Sequence, residues 1–289
     1  MVITLEKKIN QQSKSGVSNP ILHSLSLKIE HELNMIFEKE LTSVDSIFVS
    51  ISPTLTRRMA MFISGEIKRA AAIGVCGETA SGKSTIVNDS IELIEDFAKR
   101  LSTKKPTTRI NTDDYYYDRS KEVKAAGSFA KFAQNYDLDV PEAIELSLMA
   151  EHVNRLLNDE TVMLPKYDMS GTAIRIDECF KAEPSSIVIA EGLYALNEKI
   201  SDIFDFKIYV DIDKEVQRKR FFERAKERKL GDSAEGIFEN ASKKAELYVH
   251  SCAKDADIVF NGAISREKYK KVVREILSVV EAKYKNFAL

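Results

Sequence analysis

The sequence has few cysteines and no long apolar run, and each of these features excludes a class of protein. Its 289 residues include 3 cysteines, Cys76, Cys179 and Cys252, which show no metal-ligand spacing and cannot all pair. We therefore expect a reduced, cytoplasmic setting. No apolar run approaches the ~20 residues that span a bilayer, and the first residues lack the apolar stretch of a signal peptide. We expect no membrane partner.

The sequence also lacks an excess of charge of either sign. Lys and Arg number 43 against 45 Asp and Glu, which gives a formal net charge of -2. Nucleic-acid binding needs a surplus of cations, because phosphates must be neutralised, so we expect no nucleic-acid partner. Apolar residues make up 44% of the chain and charged residues 30%. This composition excludes global disorder and allows a packed core. A homo-oligomer is left open.

The chain divides into two regions that differ in their pattern of apolar residues. Residues 1–69 predict a mainly helical extension, with helices over 22–40 and 54–69, a short strand over 47–51 and no chemical motif. From residue 70, short apolar runs alternate with helical patterns, which indicates a mainly parallel sheet with helices on both faces. The strands are predicted over 71–76, 108–111, 187–190, 206–210 and 258–260, and the helices over 83–101, 141–157, 213–229, 234–251 and 265–285. A β-hairpin over 161–167 and 172–176 interrupts this alternation.

The strongest motif lies between the first of these strands and the following helix. Residues 77–84, Gly-Glu-Thr-Ala-Ser-Gly-Lys-Ser, fit G-x-x-x-x-G-K-[ST]. Its glycines allow a tight turn, and its N–H groups and the helix N-terminus attract an oxyanion. Lys83 would contact the β- and γ-phosphates, and Ser84 would bind Mg²⁺. The residues predicted to bind the nucleotide are Gly77, Thr79, Ala80, Ser81, Gly82, Lys83, Ser84 and Thr85.

Two carboxylates follow predicted strands and so fall at the same edge of the sheet. Asp113 follows the strand over 108–111, and Glu191 follows the strand over 187–190. Ligands of parallel sheets bind outside the carboxyl ends of the strands. Phosphoryl transfer to an alcohol needs a proton acceptor, a role that suits Asp113, and metal ligands, a role that suits Glu191. The structural alternatives are a turn or helix cap for Asp113 and Asp114, and a surface acid for Glu191.

The helix predicted over 213–229 carries a stripe of arginines. Arg220, Arg224 and Arg228 occupy positions i, i+4 and i+8, which lie on one helix face. Such a stripe suits charge stabilisation of a transferred phosphoryl group by a closing lid, so Arg220 and Arg224 are candidate catalytic residues. The alternative is a solvated, charged helix.

Taken together, these motifs resemble the uridine kinase and phosphoribulokinase family of P-loop kinases, and the Asp-x-Tyr-Tyr form at 113–116 leans toward uridine kinases. The resemblance runs from about residue 70 to the C-terminus. It also includes the segments 135–137, 164–168, 190–193 and 256–262. It implies a P-loop NTPase-type α/β fold with a β-hairpin insertion and an arginine-bearing lid helix. It therefore implies a kinase domain over 70–289 that follows the extension over 1–69.

The resemblance also implies roles for the chemical groups of the phosphoryl-transfer site. Asp113 matches the presumed base for the substrate 5′-hydroxyl, and Ser84 and Glu191 match the Mg²⁺ ligands. Arg220 and Arg224 match lid arginines that contact substrate or phosphate.

A second set of implied roles concerns the acceptor. Asp137 matches an acid that hydrogen-bonds the ribose hydroxyls, and Tyr136 matches the aromatic beside it. Tyr167 matches a tyrosine of the nucleoside pocket. Tyr116, from the Asp-x-Tyr-Tyr segment, and Arg224 complete the expected substrate-binding set.

The chain departs from uridine kinases where those enzymes read the base. Their Asn-Phe-Asp-His-Pro becomes residues 135–141 without the histidine, and residues 169–175 also lack the histidine that follows the hairpin tyrosine. We expect an ATP- and Mg²⁺-dependent kinase whose leading acceptor is uridine or cytidine. The alternatives are a kinase of a sugar phosphate, pantothenate or glycerate, and a non-catalytic ATP-binding regulatory module. A GTPase switch is disfavoured, because no Asn-Lys-x-Asp motif is present.

Overall fold

A parallel five-stranded sheet forms the centre of the protein. The computed structural model describes residues 20–40, 53–100, 106–227 and 231–287. The strands are β1 (Ala71–Gly77), β2 (Thr107–Asn111), β3 (Val162–Tyr167), β4 (Arg175–Ala182), β5 (Ile187–Gly192), β6 (Phe206–Asp211) and β7 (Ile258–Asn261). The sheet has the order β2-β5-β1-β6-β7, and a separate antiparallel hairpin pairs β3 with β4. The predicted mainly parallel sheet is confirmed.

Helices pack around this sheet, and the long ones lie at the positions that the periodicity predicts, apart from three shifted ends. One of these belongs to the helix predicted over 234–251, which ends at Tyr248 because a 3₁₀ turn follows at His250–Lys254. The helices are α1 (Pro20–Glu40), α2 (Pro53–Ile63), α3 (Lys83–Arg100), α4 (Ser120–Ala126), α5 (Phe129–Ala133), α6 (Leu146–Leu157), α7 (Lys214–Glu227), α8 (Ala234–Tyr248) and α9 (Arg266–Phe287). The predicted extension of α2 to residue 69 is wrong, because Gly65 turns the chain with a φ of 75°. The predicted start of α6 at residue 141 is also wrong, because Pro141–Ala143 form a separate 3₁₀ turn.

Other differences lie around the hairpin. The second hairpin strand begins at Arg175 rather than at residue 172, because the Asp168 carboxylate accepts hydrogen bonds from Ser170 and Thr172 and holds the intervening chain as a turn. The strand also continues to Ala182, beyond the predicted end at residue 176. The short helices α4 and α5 were not predicted, since neither is long enough to show a periodic pattern. The strand predicted over 47–51 lies outside the described residues.

The two faces of the sheet build two apolar layers. In β1, Ala72 and Cys76 point into a layer shared with α6, whereas Ile73 and Val75 point into a layer shared with α3 and α9. β5 and β6 alternate in the same way. This is the period-two pattern of strands that are buried on both faces. No helix in the described ranges combines the length and the apolar character needed to cross a membrane.

The N-terminal helices α1 and α2 pack against α9. Their shared cluster contains Leu25, Ile29, Leu33, Ile36 and Phe37 of α1, Ala60 of α2 and Val272 of α9. Arg58 of α2 also donates a hydrogen bond of 2.6 Å to the carbonyl oxygen of Asp205, which lies just before β6. Helices α1 and α2 therefore pack against α9, and α2 also holds the segment that leads into β6.

We expect Ile29→Ala to lower the free energy of unfolding by about 2–5 kcal/mol, because it leaves a cavity in this cluster. Ile29 is 0% exposed. Leu27→Ala on the same helix is the matched control, since Leu27 is 52% exposed, and we expect it to stay within about 0.5 kcal/mol of the wild type. Urea denaturation measures both. Equal losses in the two variants would contradict the packing of α1 onto α9.

Candidate active site

The carboxyl ends of three neighbouring strands converge at one edge of the sheet. β1 runs directly into residues 77–84, the phosphate loop. Glu191 of β5 lies opposite Val75 of β1 on one side and Asn111 of β2 on the other. β2 then continues into a 3₁₀ turn, Thr112–Tyr115, that carries Asp113. The loop and the two carboxylate-bearing segments therefore lie at the same edge of the sheet, as the sequence predicts.

The phosphate loop has the backbone of an anion-binding nest. Ala80 and Gly82 adopt left-handed conformations, with φ of 59° and 98°, so successive N–H groups can point to one side. A Cβ at Gly77 would lie 2.6 Å from the carbonyl oxygen of Val210, which only glycine avoids. Ser81 is 0% exposed, and its hydroxyl makes no hydrogen bond within the described chain. The loop therefore packs closely against β6, and it carries a buried hydroxyl that can still form a hydrogen bond.

The two predicted metal ligands lie in contact. The Ser84 hydroxyl donates a hydrogen bond of 2.8 Å to Oε2 of Glu191, a carboxylate that is 1% exposed. The other carboxylate oxygen pairs with the Arg109 guanidinium. Lys83 reaches back along the loop and donates to the carbonyl oxygen of Glu78 at 3.2 Å. A hydroxyl and a carboxylate oxygen at this spacing are suitable ligands for Mg²⁺.

A cavity of about 440 Å³ opens beside the loop. Its walls include Gly82, Lys83, Ser84, Thr85, Arg220 and Arg224. The predicted nucleotide-binding residues at positions 82–85 thus line one side of this cavity, and helix α7 lines the opposite side. A space of this volume suits a small-molecule ligand.

The two described lid arginines lie at the loop, but they are used differently. Arg220 donates through Nη1 to the carbonyl oxygen of Gly262 at 2.8 Å and to that of Ser81 at 3.4 Å. Arg224 lies 3.5 Å from the Thr79 hydroxyl. Arg220 is therefore tied to the backbone around the loop, and its contact with a phosphate stays a prediction. Arg228 lies outside the described residues.

Asp113 and Asp114 occupy the turn after β2 and have separate surroundings. The amide of Asp113 donates a hydrogen bond of 3.0 Å to the side chain of Asn111, which caps the turn. The half-buried carboxylate of Asp113 adjoins Tyr116. Asp114 accepts from Lys166 at 2.9 Å and from the amide of Tyr167 at 3.4 Å. Asp114 thus fastens the turn to β3, and the role of Asp113 as the proton acceptor stays a prediction.

Three predicted acceptor-site tyrosines form an aromatic cluster. The rings of Tyr116 and Tyr167 are 5.1 Å apart, and Tyr136 stacks on Phe132 at 5.0 Å. Burial, followed by the neighbouring charge of Asp113, raises the pKa of Tyr116 well above its usual value. Burial also raises the pKa of Tyr167 to about 12. Both phenols therefore stay protonated near neutral pH.

The Tyr167 hydroxyl is a buried polar group without a described partner. Tyr167 is 5% exposed, and its oxygen makes no hydrogen bond to any residue that the structure describes. An unsatisfied buried hydroxyl is costly unless something else bonds to it. This hydroxyl is thus a ready donor or acceptor for a bound molecule.

Asp137 is already engaged by the protein. Lys244 of α8 lies 2.5 Å from Oδ2 of Asp137, and the amide of Asp139 donates to Oδ1 at 2.9 Å. Asn240, also on α8, donates to the Asp139 carboxylate at 2.9 Å. The acid predicted to hold sugar hydroxyls is therefore joined to α8, and an acceptor would have to share Asp137 with Lys244.

Sequence analysis missed Arg109 and Lys244 as members of the site. Arg109 had one usable signal, since it is a lone cation inside an otherwise buried strand pattern that ends at the ligand-binding edge. Lys244 had none, because it lies 107 residues after Asp137 and no local pattern links them.

Comparisons with known proteins agree with this geometry. The model of the Phosphoribulokinase / Uridine kinase family matches residues 72–267. The chain is 36% identical over 152 residues to the uridine kinase of Clostridium perfringens, a match that covers 52% of this chain and 66% of that relative, just under two thirds of its length. It is 28% identical over 223 residues to the uridine kinase of Halalkalibacterium halodurans, with coverage of 75% and 98%. The chain therefore belongs to the Phosphoribulokinase / Uridine kinase family.

Proposed function

We propose that this protein is a kinase that transfers the γ-phosphoryl group of ATP to a hydroxyl group of a small, sugar-containing acceptor, with Mg²⁺ as cofactor. The observation that carries this proposal is the 2.8 Å contact between Ser84 of the phosphate loop and the buried Glu191. It joins a polyphosphate-binding loop to a carboxylate at the edge where parallel sheets bind ligands.

Each described group then has a chemical task. The loop N–H groups and Lys83 hold the β- and γ-phosphates. Ser84 and Glu191 would hold Mg²⁺, which would supply positive charge to the phosphate oxygens. Asp113 accepts the proton of the acceptor hydroxyl as that oxygen attacks phosphorus. Arg224 stabilises charge on the transferred group.

The acceptor that we propose is a pyrimidine nucleoside, uridine or cytidine. Tyr116, Tyr136 and Tyr167 offer aromatic surface to a base. The Tyr167 hydroxyl, which bonds no described residue, offers one hydrogen bond, and Asp137 offers acceptors to ribose hydroxyls. The similarity to two bacterial uridine kinases supports the same assignment.

A second candidate is a kinase of the same mechanism with another acceptor, such as a sugar phosphate, pantothenate or glycerate. The observation that favours it is the state of the hairpin tip, where Ser170 and Thr172 both donate to Asp168. These hydroxyls cannot donate to a base without breaking those bonds. We also propose that residues 70–289 form the kinase domain and that residues 1–69 are an extension, whose helices α1 and α2 pack against that domain.

The test is Mg²⁺-dependent release of ADP from ATP in the presence of uridine, cytidine, other nucleosides, ribulose 5-phosphate, pantothenate or glycerate. Turnover with uridine or cytidine supports the nucleoside assignment. Turnover with another member of the panel keeps the mechanism and replaces the acceptor. ATP binding without turnover on any acceptor of this panel would count against a kinase and favour a regulatory nucleotide-binding role.

We expect Tyr167→Phe to raise KM for the nucleoside by up to about tenfold, because a single neutral hydrogen bond is lost. We expect no loss of thermal stability, since the hydroxyl bonds nothing in the described protein. Tyr115→Phe is the matched control. Its hydroxyl lies 2.9 Å from Nδ1 of His152 in the core, so we expect lower stability and an unchanged KM. The same pattern in both variants would contradict an acceptor role for Tyr167.

A further inference from the structure

The second residue of the phosphate loop is a buried acid that none of the roles above uses. Glu78 is 3% exposed. Nε2 of His250 lies 2.5 Å from one of its oxygens, and Nε2 of Gln217 donates to the other at 2.8 Å. Lys214 adds a longer contact of 3.2 Å to that second oxygen. Three side chains from outside the loop therefore converge on a single loop carboxylate.

A carboxylate at this position is electrostatically unfavourable unless it is compensated. It opposes the binding of a polyphosphate to the same loop, and a buried charge is costly without partners. Burial raises the pKa of Glu78, but the hydrogen bonds from His250 and Gln217 and the charge of Lys214 outweigh this, so its net pKa is lowered. The partners hold Glu78 in the ionised form.

These partners come from two distant segments. Lys214 and Gln217 lie in the first turn of α7, the lid helix, and His250 follows α8. Gln217 is 1% exposed and also donates to the carbonyl oxygen of Thr79 at 3.0 Å. Arg220, one turn further along α7, donates to the carbonyl oxygens of Ser81 and Gly262. Helix α7 therefore holds carbonyl groups of the loop and fixes the course of its backbone.

We propose that Glu78 is a positioning residue of the phosphate loop and that His250 and Gln217 act through its carboxylate to hold the loop and the lid helix in the nucleotide-binding arrangement. This inference rests on the proposed function, since it takes ATP as the ligand of the loop. Loss of a Glu78 partner should weaken ATP binding and leave acceptor binding unchanged, because the partners contact the loop and not the acceptor-site tyrosines.

The test is a double-mutant cycle on the full chain, with the Kd for ATP measured by calorimetry and the KM for the acceptor measured by ADP release. The variants are His250→Ala, Glu78→Gln and their combination. His250 is 39% exposed, so its variant is expected to fold. We expect His250→Ala to raise the Kd for ATP about tenfold, the value of a hydrogen bond to a charged group. In the Glu78→Gln background, we expect the same change to raise it less than twofold.

Two further measurements separate positioning from general packing. Gln217→Leu keeps the side-chain volume, and we expect it to raise the Kd for ATP at least as much as His250→Ala, with the KM for the acceptor within twofold of the wild type. Arg218→Gln is the matched control on the same helix, since it removes an exposed ion pair with Glu235 and the contacts of the guanidinium with the Phe222 and Phe238 rings, but no bond to Glu78. We expect it to change neither constant by more than twofold.

The outcomes are distinct. An equal effect of His250→Ala in both backgrounds would overturn the inference, because His250 would then not act through Glu78. The inference would also be overturned if the same variants raised the Kd for ATP, raised the KM for the acceptor and lowered the melting temperature together, because that pattern would indicate a general packing role. Equal ATP affinity in all variants would overturn this inference alone. Failure of the wild-type chain to bind ATP would overturn the proposed function, and the inference with it.

Discussion

Asp113→Asn is expected to lower kcat by about 10²–10⁴-fold, the usual contribution of a positioned general base. The Kd for ATP should stay within twofold of the wild type, because Asp113 lies in the turn after β2 and outside the phosphate loop. The amide side chain keeps the shape of the carboxylate and cannot accept the proton. Rapid-quench measurement of ADP formation and calorimetric titration of ATP separate the two effects.

Asp114→Asn is the matched control for this prediction, since it makes the same change one residue away. Asp114 bonds Lys166 and the amide of Tyr167, so its variant should loosen the contact between the turn and β3. We expect kcat to fall less than tenfold. If either constant changes by more than this, we expect it to be the KM for the acceptor. A large loss of kcat in Asp114→Asn and a small loss in Asp113→Asn would reassign the base.

Gly192→Ala is expected to lower the free energy of unfolding by about 3 kcal/mol or more, from backbone strain together with overpacking. Gly192 follows Glu191 and has a φ of 149°. A Cβ there would lie 1.6 Å from the hydroxyl oxygen of Thr112 and 2.7 Å from its Cβ. Because Thr112 directly precedes Asp113, relief of this clash should move both site carboxylates apart, and kcat should fall together with stability.

Gly127→Ala is the control that separates strain from collision. Gly127 ends α4 with a φ of 80°, and nothing lies within 4 Å of the position that its Cβ would take. We expect its variant to lose only about 1–2 kcal/mol, the cost of a left-handed residue with a Cβ, and to keep its kcat. Urea denaturation and steady-state kinetics measure both variants. Equal losses of stability would show that the approach of β5 to the turn after β2 is not tight.

The sequence by itself determined the parallel sheet, the phosphate loop and the edge of the sheet at which the site lies. These features follow from local signals. A buried strand is a short apolar run, a surface helix shows a period of 3.6 residues, and the loop motif is contiguous. Once the sheet is parallel, its topology brings the carboxyl ends of the strands together, so Ser84 and Glu191 meet even though 107 positions separate them.

Tertiary structure alone decided which polar and charged side chains pair with one another. Lys244 joins Asp137, Arg109 joins Glu191, and His250 joins Glu78 across 172 positions of the chain. Such pairs depend on how elements such as α8 pack in the folded chain. The periodic pattern of apolar residues in the sequence does not specify that packing. An isolated charge in the sequence is compatible with a solvated surface. Only the packed chain, where burial makes an unpaired charge costly, requires each of these groups to have its partner.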